Sequence, residues 1–287
     1  MKSNAKIAII GLGRAGQARH RSFSKLVGDK LIVLSSRRQS QSPQFDDIRT
    51  NPDIAAVVLS RESQRHATDA QAMLEAGKHV LVEYPLAYTA EEAQRLFRCA
   101  AAHRRVLHVG YLGLQQGWAG EVKQRMAHAD IRFAHYQFNA GYGHVPQGDV
   151  GAQRLGTMVL ARLQQLQVWF GDLELTACGL ERFEDGIEVN VSLSGKSQSG
   201  DCLIEFVESR REGQTRERFL TVKNSSRDAF RLPSWYPDRT VFDTDSACFH
   251  QRCLGHPTPD YVSEDAVIAV MTLADRISDA LEKQSVI

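Results

Sequence analysis

The stretch Lys6–Gly16, KIAIIGLGRAG, decides the fold. Its first part, Lys6–Ile10, is a short apolar run that ends at a glycine, which is typical of a buried strand in a parallel sheet. Its second part holds Gly11, Gly13 and Gly16 in the spacing Gly-x-Gly-x-x-Gly and leads into a helical pattern. A turn of this kind between a strand and a helix indicates a dinucleotide-binding βαβ unit.

Each glycine of this turn has its own physical reason. Gly11 permits the tight turn, Gly13 lets the backbone approach a pyrophosphate, and Gly16 lets the helix pack closely on the strand. The N-terminus of the helix offers free N–H groups and partial positive charge to phosphates. We therefore predict these cofactor-binding residues: Gly11, Gly13, Arg14, Ala15, Gly16, Ser60 after the third predicted strand, and Glu83 after the fourth.

The residues after the second predicted strand, Lys30–Leu34, select between the two nicotinamide cofactors. An NAD enzyme usually has Asp or Glu here to bind the adenosine ribose hydroxyls. This chain has Ser36, Arg37 and Arg38 and no acid in the stretch. Because guanidinium and hydroxyl groups suit a 2′-phosphate, we predict NADPH as the cofactor and these three residues as its phosphate-binding set. The alternative is a solvated basic loop.

The rest of the chain predicts an α/β protein of two domains. Through residue 112, strand and helix signals alternate, which favours a Rossmann domain with a doubly wound parallel sheet. At 187–193 apolar residues alternate with polar ones, and Cys202, Ile204 and Phe206 continue a period of two against Leu203, Glu205 and Val207, which favours a broad, mostly antiparallel sheet. We therefore predict a cofactor domain at 1–112 and an α+β substrate domain at 113–287 that ends in the helix Ser263–Glu282.

Composition argues against several classes of function. The 287 residues include 35 Lys and Arg against 34 Asp and Glu, a formal net charge of +1, so no global field draws the chain to nucleic acid or to an anionic membrane. No apolar run approaches the ~20 residues of a membrane span, and we expect no signal peptide. The five cysteines form no Cys-x-x-Cys pair, which predicts reduced thiols, a cytoplasmic protein and no metal site.

The segment Gly77–Pro85, GKHVLVEYP, carries a resemblance to a known family. Together with the glycine turn and the two-domain layout, it resembles the glucose–fructose oxidoreductase/inositol dehydrogenase family. That family typically has Glu-Lys-Pro at this strand end, with the lysine activating a substrate hydroxyl, whereas this chain has Tyr84. The resemblance implies an NAD(P)-dependent oxidoreductase, and the tyrosine argues against ordinary sugar or polyol oxidation.

Within that family, the tyrosine variant resembles the biliverdin reductases of the mammalian and cyanobacterial type. Three further segments agree: Gly11–Gly16, Ser36–Arg38 and Ala161–Leu163. The resemblance implies an NADPH-dependent reduction of a linear tetrapyrrole, biliverdin to bilirubin, by hydride transfer to the central methine carbon. It also implies that Arg162 assists protonation or binds a propionate, and that Tyr84 and Glu83 lie beside the nicotinamide.

The segment after the fifth predicted strand departs from the biliverdin reductase pattern. Leu107–Gly113 lacks the acidic residues of that pattern and has Tyr111 where a histidine is expected. Two alternatives therefore stay open: an NADPH-dependent oxidoreductase for another conjugated C=N or C=C substrate, and a catalytically degenerate protein that binds the dinucleotide or a bilin. The expected partner is a small molecule, and the sequence leaves monomer and dimer open. For Arg162 the alternative is an ordinary surface arginine, and for Glu83 a structural hydrogen bond.

Overall fold

The computed structural model describes residues 5–34, 45–115, 117–126, 130–141, 155–197, 200–224, 229–231, 241–257 and 263–284. The chain forms two compact units, which are described separately. Unit 1 takes in Met1–Gln115 and Asp238–Ile268, and unit 2 takes in Gln116–Pro237 and Ala269–Ile287.

Unit 1 is built on a five-stranded parallel sheet in the order β2-β1-β3-β4-β5. Its strands are β1 Lys6–Ile10, β2 Leu31–Leu34, β3 Ile54–Leu59, β4 His79–Glu83 and β5 Leu107–Gly110. Its helices are α1 Arg14–Val27, α2 Phe45–Thr50, α3 His66–Glu75, α4 Ala90–Ala102 and α7 Val241–Cys253. The strand order changes direction at β1, so the carboxyl ends of β1 and β3 flank the crevice where open α/β sheets bind ligands. The predicted Rossmann domain is confirmed.

The core of unit 1 explains why α7 packs there. Ile7, Ile9 and Val58 are fully buried in the middle of the sheet, as continuous apolar strands require. Phe249 of α7 joins this core and meets Phe23 of α1 edge-on, with ring centroids 6.3 Å apart. The sequence-based division, 1–112 and 113–287, assigned this helix to the second domain, and the packing of unit 1 differs from that division.

Unit 2 is built on a six-stranded sheet in the order β11-β10-β6-β9-β8-β7. All of its strand pairs are antiparallel except β6 with β9, which confirms the mostly antiparallel sheet. The strands are β6 Ile131–Gly141, β7 Glu174–Phe183, β8 Gly186–Ser197, β9 Gly200–Arg211, β10 Glu217–Asn224 and β11 Ala229–Arg231. The helices are α5 Gly117–Met126 and α6 Leu155–Phe170, while α8 Glu264–Gln284 is divided between the units.

Candidate active site

The glycine turn between β1 and α1 is as tight as its sequence predicts. Gly11 has a φ of +97°, and a Cβ there would lie 2.6 Å from the carbonyl oxygen of Ser60. A Cβ on Gly16 would lie 1.9 Å from the carbonyl oxygen of Gly11, so only glycine lets helix and turn approach this closely. A Cβ on Gly13 would meet nothing within 4 Å, which leaves open space beside that backbone.

The N-terminus of α1 fits an anionic ligand. Gly13, the N-cap, makes no side-chain capping bond, and the first turn holds no acid, so the orphan N–H groups and the positive end of the helix dipole face no negative charge within the turn. Arg14 and Ala15 are the first two residues of this helix. Ser60, just past β3, is nearly buried, and its hydroxyl has no hydrogen-bond partner within the described part of the chain. These groups fit the phosphates of a dinucleotide.

The predicted 2′-phosphate set, Ser36, Arg37 and Arg38, lies outside the described residues. The preference for NADPH over NADH therefore stays a prediction from the sequence.

Two aromatic rings lie at the carboxyl end of the sheet, after β4 and β5. Tyr84 follows β4, precedes a cis peptide bond to Pro85 and keeps 37% of its surface exposed. Tyr111 is buried, and its ring stacks with that of Tyr84, with centroids 6.4 Å apart and planes inclined by 18°. Burial raises the pKa of the Tyr111 hydroxyl, so the phenol stays neutral. Tyr84 is thus an exposed aromatic residue whose ring packs against the buried ring of Tyr111.

His66 fixes the two turns that carry these groups. Its Nδ1 lies 2.8 Å from the carbonyl oxygen of Pro85, and its Nε2 lies 3.1 Å from that of Arg61. The buried imidazole therefore joins the turn after β4 to the turn after β3. Sequence reasoning missed this role, because a histidine on a helix carries no local signal for backbone contacts made elsewhere in the fold.

Glu83 lies in a buried ion network rather than at an open surface. The Nε of Arg19, on α1, donates to Glu83 over 2.6 Å, and its Nη2 lies 2.7 Å from Asp245 of α7. Burial alone would lower the pKa of Arg19, but the two carboxylates raise it overall. Burial alone would likewise raise the pKa of Asp245, but Arg19 and His108 hold it below its ordinary value. The contact with Arg19 therefore favours the alternative interpretation of Glu83, in which its carboxylate makes a structural hydrogen bond.

The network continues from Asp245 through His108 to Arg252. The Nε2 of His108 lies 3.0 Å from Asp245, and its Nδ1 lies 3.1 Å from the Nη1 of Arg252. An arginine can only donate, so Nδ1 accepts, and Nε2 carries the proton that bonds Asp245. The fixed tautomer makes His108 a connector between two charged groups.

Arg162, on α6 of unit 2, is 4% exposed, so the surface reading of this residue is wrong. Its Nη2 lies 2.6 Å from Oε1 of Glu208, and its Nε lies 2.9 Å from Oε2. Its guanidinium carbon lies 4.2 Å from the ring centroid of Phe138. Sequence reasoning missed Glu208, although a signal existed: it continues the alternation of Cys202, Ile204 and Phe206 and so places an acid on a buried face.

Two further features were sought among the residues that the structure describes, a metal site and a membrane-spanning helix. Among those residues, no group of three or more His, Cys, Asp or Glu side chains is arranged to hold a metal ion. No helix in the same ranges has the length and apolar character to cross a membrane. All five cysteines are described, and each is a free thiol.

The comparisons with known proteins agree with this geometry. Residues 5–111 match the model of an oxidoreductase family with an NAD-binding Rossmann fold. The chain is an NAD(P)-dependent oxidoreductase whose cofactor domain is of this kind.

Among its relatives, human biliverdin reductase A is 27% identical over 264 residues, which cover 87% of this chain and 86% of the human protein. Inositol 2-dehydrogenase of Agrobacterium fabrum is 28% identical over 123 residues, which cover 37% of this chain and 37% of that protein. The structure of Synechocystis biliverdin reductase with biliverdin and NADP+ has the same fold, with a TM-score of 0.77, 21% identity, and coverage of 98% of this chain and 100% of that one.

Proposed function

We propose that this chain reduces a linear tetrapyrrole, biliverdin to bilirubin, with NADPH. The observation that carries the proposal is the extent of the similarity. The match to human biliverdin reductase A covers 87% of the chain, whereas the match to the inositol dehydrogenase covers 37%, about the length of a cofactor domain. The similarity to biliverdin reductase thus extends well beyond the part that the dehydrogenase shares.

The end of β4 supports the same choice. A dehydrogenase that oxidises an alcohol needs a cation or base beside the hydroxyl, whereas this chain has the aromatic side chain of Tyr84 at this position. Its exposed ring, supported by Tyr111, instead offers a flat apolar face and one hydroxyl. Such a face suits a planar conjugated substrate, because aromatic rings stack on extended π systems.

The reaction balances as biliverdin, NADPH and one proton giving bilirubin and NADP+. When bound, the cofactor supplies the hydride that the central methine carbon receives. Gly11, Gly13 and Ser60 would hold its phosphates through the backbone and a hydroxyl. We assign Glu83 a positioning role, because Arg19 binds its carboxylate and Glu83 directly precedes Tyr84 in the chain.

The proton that reaches the pyrrole nitrogen requires a separate source. Arg162 stays protonated throughout, because a guanidinium does not lose its proton in proteins and Glu208 stabilises its charge. We therefore assign Arg162 the orientation of a proton-carrying water or of an anionic substrate group, not the donation of its own proton.

The test is the absorbance of purified protein with biliverdin and NADPH, with NADH in a parallel sample. Loss of the red biliverdin band with growth of a blue-shifted rubin band is the expected result. Arg162→Ala should lower turnover while NADPH still binds, whereas Arg132→Ala, at an exposed arginine of the same unit, should not. Unchanged turnover in Arg162→Ala would remove its role.

The remaining outcomes separate the alternatives. A spectral shift on bilin binding without turnover would favour the degenerate binding protein, a reading supported by the missing acids and the buried Tyr111 in Leu107–Gly113. No response to biliverdin would favour another conjugated C=N or C=C substrate. The five free thiols support the cytoplasmic setting that we propose for the protein.

A further inference from the structure

Within the described part of unit 1, three buried polar atoms at the carboxyl edge of the sheet have no hydrogen-bond partner. They are the Ser60 hydroxyl and the Nε of Arg61, just past β3, and the Tyr111 hydroxyl, just past β5. The remaining two such atoms of this described part, on Arg19 and Asp245, lie 2.7 Å from each other as an ion pair. An unsatisfied buried polar group costs free energy, and open α/β sheets bind ligands at this edge. The concentration of such atoms here indicates that ligand atoms complete them.

The three atoms face different parts of the site. Ser60 and Arg61 lie against the glycine turn, since a Cβ on Gly11 would lie 2.6 Å from the carbonyl oxygen of Ser60 and 3.1 Å from the Cγ of Arg61. Tyr111 packs instead against the ring of Tyr84, with centroids 6.4 Å apart. Tyr84 keeps 37% of its surface exposed and offers the aromatic face that suits a planar substrate. We therefore expect the missing partner of the Tyr111 hydroxyl on the substrate rather than on the cofactor.

The Tyr111 hydroxyl can act as a hydrogen-bond donor but not as an acid. Burial first, and then Tyr84, raise the pKa of Tyr111 above its ordinary value, so the phenol keeps its proton. A neutral phenol donates one hydrogen bond, and carbonyl oxygens and unprotonated ring nitrogens accept it.

We propose that Tyr111 is a substrate-binding residue whose hydroxyl donates a hydrogen bond to a carbonyl oxygen or ring nitrogen of the conjugated substrate beside Tyr84. The inference rests on the proposed function, because a linear tetrapyrrole carries acceptors of both kinds along the edge of its conjugated system. Since the Tyr111 hydroxyl is covered, the partly exposed Tyr84 ring shifts to admit the substrate atom. Tyr111 therefore favours conjugated substrates that have an acceptor beside the stacked face.

The experiment compares two Tyr→Phe variants, each of which removes one hydroxyl from unit 1. Tyr111→Phe removes the hydroxyl that has no partner among the described residues. Tyr88→Phe is the matched control, because the Tyr88 hydroxyl is hydrogen-bonded to that of Ser63 over 2.9 Å. Three quantities are measured for both variants and the wild type: Tm without ligand, Kd for NADPH by fluorescence titration, and KM for biliverdin.

We expect opposite patterns in the two variants. Tyr111→Phe should keep or exceed the Tm of the wild type, because it removes an unsatisfied buried group. It should raise the KM for biliverdin about three- to tenfold, the loss of one hydrogen bond, with an unchanged Kd for NADPH. Tyr88→Phe should lower Tm by about 2–4 °C and leave the KM for biliverdin unchanged.

Three results would overturn the proposal. The first is an unchanged KM for biliverdin in Tyr111→Phe. The second is weaker NADPH binding by this variant, which would place the missing partner on the cofactor. The third is a fall in its Tm, which would show that the hydroxyl already has a partner.

A failure of the proposed function is distinguishable from a failure of the Tyr111 assignment. If biliverdin binds without being reduced, absorbance titration gives its Kd, which Tyr111→Phe should raise and Tyr88→Phe should not; equal Kd values in Tyr111→Phe and the wild type would overturn the assignment. If biliverdin does not bind to the wild type, the proposed function fails and the unfolding data decide. A Tm of Tyr111→Phe at or above that of the wild type would support a hydroxyl kept for a ligand, and a fall equal to that of Tyr88→Phe would overturn it.

Discussion

Asp245→Asn tests the buried ion network of unit 1. The side chain of Asp245 is fully buried, with one oxygen 2.7 Å from Arg19 and the other 3.0 Å from His108. Asparagine keeps the size of the side chain but loses its charge and replaces one acceptor with a donor. Because the cationic Arg19 lies against one oxygen of this carboxylate and His108 donates to the other, the amide NH2 of asparagine must face either a cation or a hydrogen-bond donor.

The free energy of unfolding that Asp245→Asn should lose depends on which contacts of Arg19 remain. Removing one partner of a buried ion pair costs about 3–5 kcal/mol. Arg19 keeps its contact with Glu83 at 2.6 Å, so we expect the lower end, about 3 kcal/mol. For a unit of 150–250 residues this corresponds to a fall in Tm of about 6–12 °C.

The same helix supplies the control. Asp243 pairs with Lys25 over 2.7 Å, with the two side chains 37% and 67% exposed, and such surface pairs contribute less than about 1 kcal/mol. Asp243→Asn should therefore lower Tm by at most about 4 °C. Thermal unfolding of the two variants at pH 7 is the assay. Equal decreases in Tm would refute the assignment of a buried, charge-dependent role to Asp245.

The pH dependence gives a second check on Asp245. Its pKa is held below its ordinary value by Arg19 and His108, against the effect of burial. A carboxyl group of this kind stabilises the fold fully above its unfolded pKa of about 3.9, and the contribution is lost as the pH falls through the folded value. The difference in stability between wild type and Asp245→Asn should therefore be constant from pH 5 to 7 and shrink below about pH 4.

Three further predictions concern the glycine turn, a buried histidine and the cofactor preference. Gly16→Ala places a methyl group 1.9 Å from a carbonyl oxygen, so NADPH affinity should fall at least about tenfold and the free energy of unfolding by about 1–3 kcal/mol. The control Gly120→Ala changes a helix position with open space around it and should instead stabilise the protein by about 0.5–1 kcal/mol. Urea unfolding and NADPH titration of the two variants compare these effects. Burial first, then Arg105, lowers the pKa of His79 to about 4, so stability should be full above pH 6.5 and fall as the pH drops toward 4. The lowered pKa of His79 sets an upper limit of about 3 kcal/mol on this loss of stability, and solvent screening of the half-buried ring reduces the expected loss to about 1–2 kcal/mol. Urea unfolding at pH 7 and pH 5 should show the loss in the wild type and in the control His103→Gln, which changes an exposed histidine. The loss should be smaller in His79→Gln. Replacing Arg37 and Arg38 with Gln should weaken NADPH far more than NADH in calorimetric titrations, and equal effects on both cofactors would contradict the 2′-phosphate assignment.

Local signals in the sequence predicted the elements of unit 1 closely. The sequence Thr89-x-x-Glu92 is typical of a capping box at the start of α4, and the backbone N–H of Glu92 does donate to the Thr89 hydroxyl, over 3.2 Å. The reciprocal bond differs by one residue, because the Glu92 carboxylate accepts from the N–H of Tyr88. Periodicity failed for β7 Glu174–Phe183, which alternation did not reveal, because neither of its faces is consistently buried.

In the candidate site too, the features set by local sequence were predictable, whereas those that depend on partners distant in the chain were not. The glycine turn was predictable because its requirements lie within six consecutive residues, Gly11–Gly16. The partner of Arg19 was not, because Asp245 lies in a different part of the chain and no periodic pattern links two such positions. Arg162 was found through resemblance alone, and its partner Glu208 was overlooked although it lies in phase with buried residues.

Arg19 shows how the parts of unit 1 depend on one another. It lies on α1 three residues after Gly16, the last glycine of the cofactor turn. Its carboxylate partner Glu83 directly precedes Tyr84, and its second partner, Asp245, comes from α7. One buried guanidinium therefore ties the cofactor turn and the aromatic strand end to a helix that follows the second sheet in sequence. This arrangement explains why a segment so late in the chain packs in the cofactor unit, and it predicts that changes in α7 affect the cofactor turn without contacting a ligand.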